Sequence, residues 1–514
     1  MATWIAPHIS ELVLVYGATA LPMGIALMQR RASAGQYFRW PFVALFAAAI
    51  GVVLWWLIRT RLLAMSPHTN QSLLWFAGVT FFIVLGYGAG LAMTRTRPTA
   101  THKRGALLEE GRARPRPSCG ELTLAGIGIP PADETKHFKL IGTTGTGKST
   151  AIRELLTGVL ARGDRVIVAD PDASYLNRFY DAKAGDVILN PFDTRSKRWD
   201  LFGEIEKPYD VEQLARSLIP DHDGADKTWR AYARTFLTAI IRQLWELGAK
   251  DKPDRDVNEL YRLISTAETE ELRILVKNTP AQPFLESGNE RMFGSIRSVA
   301  SANVSALEHI AEQSNPGLSV RQWVRGGRGR ALYLPYSAIQ ISALKSMISA
   351  WMRLAIFEAM TGGERDQRLW FIIDELDAIG AIDGLKDALA RLRKFGGRCV
   401  LGFQSIAQVS NTYGQGEAQT IVENCGNTLI LRCSGSEGGG TSRFASRLIG
   451  EREIVRVHQS RSRSPKDWRS SVTSSEHHVT EAAVLASEIE QLPDLKGYLK
   501  LASSASWRRV TVLR

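Results

Sequence analysis

Two groups of residues in this sequence have the types and spacing that phosphate chemistry needs. The first is GTTGTGKST at 142–150, where Gly142, four residues, then Gly147-Lys148-Ser149 fit the pattern G-x-x-x-x-G-K-[ST]. Gly142, Gly145 and Gly147 let the loop's backbone N–H groups, those of Thr143, Thr144 and Thr146 among them, turn inward around phosphate oxygens at a helix N-terminus. Lys148 would neutralise the terminal phosphates of ATP, the Ser149 hydroxyl would ligate magnesium, and Thr150 borders the same site. The plain alternative is a Gly/Thr-rich turn ahead of a helix.

The second group is RLWFIIDE at 368–375, an apolar run ending in two carboxylates. Asp374 is placed to hold magnesium, directly or through water. Glu375 is placed to orient and polarise an attacking water, a task that hydrolysis requires and binding alone does not. A buried strand meeting solvent through two acids is the rival reading. The next strand-like run, CVLGFQS at 399–405, ends in Gln404. In P-loop ATPases with a glutamate beside the magnesium aspartate, that following strand lies next to the phosphate-loop strand. Gln404 would then meet the γ-phosphate and distinguish ATP from ADP, unless it is only a satisfied strand end. RVIVADPD at 165–172 brings Asp170 to the same edge, with no direct catalytic role expected.

These residues need a sheet to hold them, and the spacing says that the sheet is interrupted. More than two hundred residues separate Lys148 from Asp374, too many for the strand–helix units of one sheet. From about 203 to 312 the strand signals stop. RAYARTFLTAIIRQLWELG puts Ala233, Phe236, Ile240 and Leu244 on one stripe, and VNELYRLI, EELRILVK and SIRSVASANVSALEHIAEQ are helical as well. Lys227, Arg230 and Arg234 share a face of the first of these helices, with Trp229 alongside. Cations beside an aromatic ring suit single-stranded nucleic acid; a solvated face with one core tryptophan is the alternative.

The chain's 514 residues allow two or three domains, and the net charge of +12 favours an anionic partner, nucleic acid or anionic lipid. Residues 41–58 and 73–93 are uncharged and long enough to cross a bilayer, and 12–28, with Pro22, is a shorter apolar stretch. Arg95, Arg97, Lys103, Arg104, Arg112, Arg114 and Arg116 follow, which places the large C-terminal part in the cytoplasm. Glu11 and an uncharged start argue against a cleaved signal peptide. The four cysteines, Cys119, Cys399, Cys425 and Cys433, have no metal-ligand spacing; the last three lie in or beside apolar runs, as core thiols do. The Ser/Arg-rich segment 456–478 is expected to be an exposed loop or hairpin arm.

The chain resembles the membrane-anchored coupling ATPases of type IV secretion and conjugation, the TrwB/TraD type. The resemblance runs in order from about 120 to 510 through GTTGTGKST, VADPDASYL at 168–176 and GDVILNPFDTRSKRWDLFGEI at 185–205. It continues through FIIDELDAIG at 371–380, ALARLRKFGGRCVLGFQS at 388–405 and LPDLKGYLKL at 492–501. It implies an inner-membrane protein with RecA-like cytosolic parts in a homo-hexamer around a channel. Such proteins bind DNA with little sequence preference and link a relaxase–DNA complex to the inner-membrane components of the secretion channel. By position it gives Arg393 as an arginine finger for a neighbour's ATP, with local charge the rival reading. It puts Trp229 near the channel constriction.

The resulting expectation is an α/β fold: a RecA-like P-loop NTPase over 95–202 and 313–514, an all-α insert over 203–312, and a transmembrane anchor of two or three helices over 1–94. Its function would be a DNA-stimulated ATPase using ATP and magnesium. Three alternatives stay open: export of protein effectors, an FtsK-related translocase, and a docking receptor whose ATP site only stabilises assembly.

Overall fold

The computed structural model describes residues 9–29, 34–65, 71–93, 100–111, 120–221, 226–248, 255–327, 329–361, 368–436, 439–463 and 470–513. Cys119 and the orienting residues Arg95, Arg97, Arg112, Arg114 and Arg116 lie outside them. The chain divides into two compact units, residues 1–101 with 455–478, and residues 102–454 with 479–514.

The first unit holds three helices, α1 (Ile9–Gln29), α2 (Ala34–Met65) and α3 (Gln71–Met93). Each of the apolar stretches noted above falls within one of them, with Pro22 inside α1 and Pro41 inside α2. Their shared core is small: Ala20, Met23 and Ala44, packed against Trp40 and Ala89. Trp40 donates its indole N–H to the Ala20 carbonyl at 2.9 Å. Many of the larger apolar side chains, including Leu21, Phe42, Phe46, Phe76 and Val84, are exposed. The expected crossing helices are not supported by length and hydropathy: among the described residues, no helix is long and apolar enough to cross a membrane.

The second unit is built on a ten-stranded sheet. Its strands are β1 (Leu108–Glu110), β2 (Phe138–Ile141), β3 (Arg165–Pro171), β4 (Val187–Ile188), β5 (Ala331–Tyr336), β6 (Leu369–Ile373), β7 (Arg398–Phe403), β8 (Asn427–Ile430), β9 (Lys496–Lys500) and β10 (Trp507–Thr511). They lie in the order β1-β10-β9-β8-β2-β7-β6-β3-β5-β4. From β8 to β4 every pairing is parallel, while β9 runs antiparallel to both β8 and β10. The central strands are buried on both faces, which is why they read as unbroken apolar runs rather than alternating ones. Phe138, Leu140, Val166, Val168, Ile372 and Val400 pack with Ile152, Leu155, Leu156 and Val159 of α4 (Lys148–Ala161). Ile167, Ala169, Phe371, Ile373, Leu401 and Phe403 belong to a second core that the remaining helices share.

Those helices include α5 (Pro208–Leu218), α6 (Lys227–Leu247), α7 (Val257–Ser265), α8 (Thr269–Leu275), α9 (Glu290–Val304), α10 (Leu307–Ala311), α11 (Ile341–Ala359) and α12 (Leu385–Leu392). The stripe read on α6 is buried, and Phe236 meets Phe293 of α9 edge-on with ring centroids 5.3 Å apart. The single helix expected over SIRSVASANVSALEHIAEQ is two, broken where the Ser305 hydroxyl bonds back to the Ala302 carbonyl. Before and after the helical run α5–α10, Arg198–Trp199 and Gly317–Leu318 pair in parallel, so the chain departs and returns at one place. Strands Glu451–Arg463 and Ser470–Ala482 make an arm of the Ser/Arg-rich segment; residues 464–469 are outside the described set.

Candidate active site

The loop 142–147 follows β2 directly, and Lys148 opens α4. Gly147 is the cap residue of α4 with φ +115°, a left-handed conformation that a side chain would strain. The loop is held from three sides. Gly142 N donates to the Phe403 carbonyl of β7 at 3.3 Å, Thr143 N to the Arg432 carbonyl at 2.9 Å, and Leu495 N to the Thr146 carbonyl at 2.9 Å. Inside it, Thr146 Oγ1 donates to the Thr143 carbonyl at 2.7 Å, and Lys148 Nζ donates to the Gly142 carbonyl at 2.7 Å. Burial lowers the pKa of Lys148, while Asp374 and Glu375 oppose that shift by favouring the ammonium.

β7 lies between β6 and β2, so the ends of three adjacent strands bring the remaining groups together. Ser149 Oγ donates to Asp374 Oδ2 at 2.7 Å. Asp374 Oδ1 is buried and has no hydrogen-bond partner among the described residues. A hydroxyl on one carboxylate oxygen and an unsatisfied acceptor on the other fit a magnesium ion, with phosphate oxygens and water completing its octahedron. No group of three or more His, Cys, Asp or Glu residues among those described could hold a metal by itself. Ser149 and Asp374 are therefore the residues that would hold it.

Glu375 is half-buried beyond Asp374. Gln404 Nε2 donates to Glu375 Oε1 at 2.8 Å, and Thr144 Oγ1 donates to Gln404 Oε1 at 2.9 Å. A hydrogen-bonded chain thus links the phosphate loop to the second carboxylate through Gln404. Gly402 makes this possible, since a Cβ there would come within 2.2 Å of the Asp374 carbonyl. Burial raises the pKa of Glu375; the Gln404 hydrogen bond and Lys148 pull it down, and Asp374 and Asp377 push it up. The arrangement can bind phosphates, hold a divalent cation, and present a carboxylate of raised basicity to a water.

Thr150 sits in the first turn of α4, half-buried. Asp170, at the end of β3, accepts from the backbone N–H groups of Tyr175 and Leu176 and so holds a turn. Arg393 lies elsewhere. It follows α12, is exposed, and lines a pocket of about 650 Å³ with Arg162, Lys394 and Arg398. Arg398 begins β7 and Gln404 follows its end, so Arg393 and the phosphate loop are at opposite ends of the sheet, about 20 Å apart along a six-residue strand.

The four residues read as a DNA face sit at the start of α6 and differ among themselves. Lys227 is exposed and Arg230 half-buried. Trp229 packs partly against the core and meets Tyr232 edge-on at 6.2 Å. Arg234 pairs with Asp221 and donates to the Ile219 carbonyl at 3.0 Å, so it is already engaged. Two residues at the site were not singled out by sequence reasoning. Tyr175 reaches Asp374, and Leu495 presses on Gly147, whose added Cβ would meet it at 2.7 Å. Both lie inside segments whose sequence is distinctive, VADPDASYL and LPDLKGYLKL.

Comparison with known proteins agrees with this geometry. A family described as the type IV secretion-system coupling protein DNA-binding domain matches residues 121–513. The coupling protein TraD of Escherichia coli K12 is 30% identical over 388 residues, 74% of this chain and 53% of that protein. The type IV secretion system-coupling protein VirD4 of Bartonella quintana is 21% identical over 295 residues, 51% of this chain and 45% of that protein. The chain spans about half the length of the curated relatives it matches. Among solved structures, the plasmid coupling protein TrwB in complex with ADP and Mg2+ aligns with a TM-score of 0.68 and 30% identity over 77% of this chain and 89% of that one. TrwB with the non-hydrolysable ATP analogue ADPNP aligns with a TM-score of 0.70 and 30% identity, covering 82% and 96%. The shared architecture is the RecA-like P-loop α/β fold.

Proposed function

The chain belongs to the family of type IV secretion-system coupling proteins, and on that premise we propose that it is an ATP hydrolase that couples a DNA substrate to a type IV secretion channel. The observation that carries the reading is the convergence of Lys148, Ser149, Asp374, Glu375 and Gln404 at one end of one sheet. Lys148 and the loop amides bind the β- and γ-phosphates of ATP. Magnesium, when bound, would neutralise charge on the same phosphate oxygens. Glu375 orients the attacking water and takes up its proton, a role that its raised pKa suits. Gln404 shares hydrogen bonds with Thr144 and Glu375, so a γ-phosphate against the loop would redistribute them and be reported along β7.

The separation of Arg393 from its own chain's loop favours a site shared between copies. In a homo-hexameric ring, Arg393 would reach the nucleotide of the next subunit. The helical run over 203–312 is read as a distinct module that meets DNA through Lys227, Trp229 and Arg230, mainly as single strand and without base readout. TraD, VirD4 and TrwB are named as coupling proteins, which supports a relaxase–DNA complex and secretion-channel components as this chain's partners. The exposed apolar side chains of α1–α3 and the basic residues that follow support association with the cytoplasmic face of the inner membrane.

The test is ATP hydrolysis by the full chain in detergent without DNA, with single-stranded DNA and with duplex. Stimulation by DNA that weakens with salt and disappears in Lys148→Ala supports the coupling motor. Hydrolysis indifferent to DNA moves the assignment to export of protein effectors.

A further inference from the structure

Tyr175 is fully buried, and its hydroxyl donates to Asp374 Oδ2 at 2.7 Å. That oxygen is the one that also accepts from Ser149 Oγ at 2.7 Å. One oxygen of the carboxylate therefore carries two donors, while Oδ1 is buried with none among the described residues. The tyrosine is held rigidly for this. Its ring lies in the core between the sheet and α4, and its backbone N–H bonds to both Asp170 oxygens at 3.0 and 3.1 Å. Leu176 N adds a bond of 2.7 Å to the same carboxylate. The turn leading in is unusual, with Asp172 and Ala173 at φ +54° and +53°.

We propose that Tyr175 is a positioning residue for the metal-binding carboxylate: by filling Oδ2 together with Ser149, it turns Oδ1 alone toward the cation. The inference rests on the reading that Asp374 and Ser149 hold magnesium. Magnesium demands a near-ideal octahedron, which a carboxylate presenting one oxygen serves well. Calcium accepts a carboxylate with both oxygens. Pinning Asp374 through Oδ2 would thus favour magnesium over larger cations. Asp170, which contacts neither loop nor Asp374 in the bonds above, serves by fixing the turn that carries Tyr175.

The experiment titrates a fluorescent ADP analogue into the full chain in detergent, with EDTA, with magnesium and with calcium. Wild type should bind more tightly with magnesium than with EDTA. Tyr175→Phe keeps the ring and removes only the hydroxyl. It should raise the magnesium concentration at half-effect by about 10-fold, narrow the preference for magnesium over calcium, and leave binding in EDTA unchanged. Tyr333→Phe, which removes a buried hydroxyl with no hydrogen-bond partner among the described residues, should change none of these. Asp170→Asn, which loosens the turn and keeps the hydroxyl, should move the magnesium midpoint in the same direction. It provides the test should Tyr175→Phe fail to fold. An unchanged magnesium midpoint in a folded variant, beside a metal-dependent wild type, overturns the proposal alone. Metal-independent binding by wild type overturns the metal site and the proposal with it.

Discussion

Gln404 holds Glu375 and Thr144 at once, donating to the Glu375 carboxylate at 2.8 Å and accepting from the Thr144 hydroxyl at 2.9 Å. The residue read as the water-orienting carboxylate is therefore tied to the residues that would touch the γ-phosphate. Any group that displaces the Thr144 hydroxyl also alters what Gln404 offers to Glu375. Removing Gln404 should lower kcat about 10- to 100-fold with little change in the KM for ATP, because the lost contact belongs to the reacting arrangement.

The same contact sets a direction for pH dependence. Burial holds the pKa of Glu375 above its ordinary value, and the Gln404 hydrogen bond opposes that. Glu375 acts ionised, so activity should fall as pH drops through the raised pKa. In Gln404→Ala the lowering influence is gone, so the acid limb of the kcat profile should move to higher pH. A limb that stays put, or moves down, would show that Glu375 is not the titrating base.

Arg393 gives a test of assembly. Arg393→Ala should leave nucleotide binding intact and reduce hydrolysis on the order of 10³-fold, as for other arginine fingers. Mixing it with Glu375→Gln should restore part of the rate, since some interfaces would then pair an intact Glu375 with an intact Arg393. Complete inactivity of every mixture, with mixed oligomers verified, would return Arg393 to a local role in its basic pocket.

On α6 the residues of the candidate DNA face should behave differently from one another. Trp229→Ala should weaken single-stranded DNA binding by about 1–3 kcal/mol. Arg230→Ala should reduce the slope of log affinity against log salt by about one. Arg234→Ala should instead lower thermal stability, because the Ile219 carbonyl and Oδ1 of Asp221 would lose their donor, with only Oδ2 of Asp221 still held by Arg216. Fluorescence anisotropy at several salt concentrations, read beside melting curves, separates these outcomes.

Glu204 offers a stability prediction remote from the chemistry. It is buried next to the paired segments Arg198–Trp199 and Gly317–Leu318. Its carboxylate accepts from Trp199 Nε1 at 2.8 Å, Val320 N at 2.7 Å, Ser319 Oγ at 3.0 Å and Arg321 N at 3.0 Å. Glu204→Ala leaves three buried donors and the half-buried Arg321 N–H without their acceptor and should destabilise the unit by about 2–4 kcal/mol. Thermal unfolding followed by tryptophan fluorescence would measure it.

Sequence and structure meet most directly where the candidate site lies on contiguous residues. Lys148, Ser149, Asp374 and Glu375 are readable because each ends or begins an element whose apolar pattern is plain. Gln404 needed one further step, the order of strands, which the sheet has as expected. Tyr175 was not readable, because its contact depends on a turn through two non-glycine residues with positive φ. Nor was the commitment of Arg234 to Asp221, since an amphipathic pattern gives the face of a helix and not the partner that a long side chain finds. Leu495 depends on the antiparallel return of β9 and β10, which no local periodicity announces.

That return has a consequence for how the protein is made. The phosphate loop is synthesised early, yet it is braced by Leu495, whose own carbonyl accepts from Val512 N at 2.7 Å. A ribosome adding about 5–20 residues per second leaves the loop without this brace for an interval on the order of tens of seconds. Until the last strands emerge, a nascent chain carries every residue of the nucleotide motif and lacks the backing that shapes it. On the proposed function, a chain truncated before Leu495 would lack that backing and should bind nucleotide less tightly than the full chain.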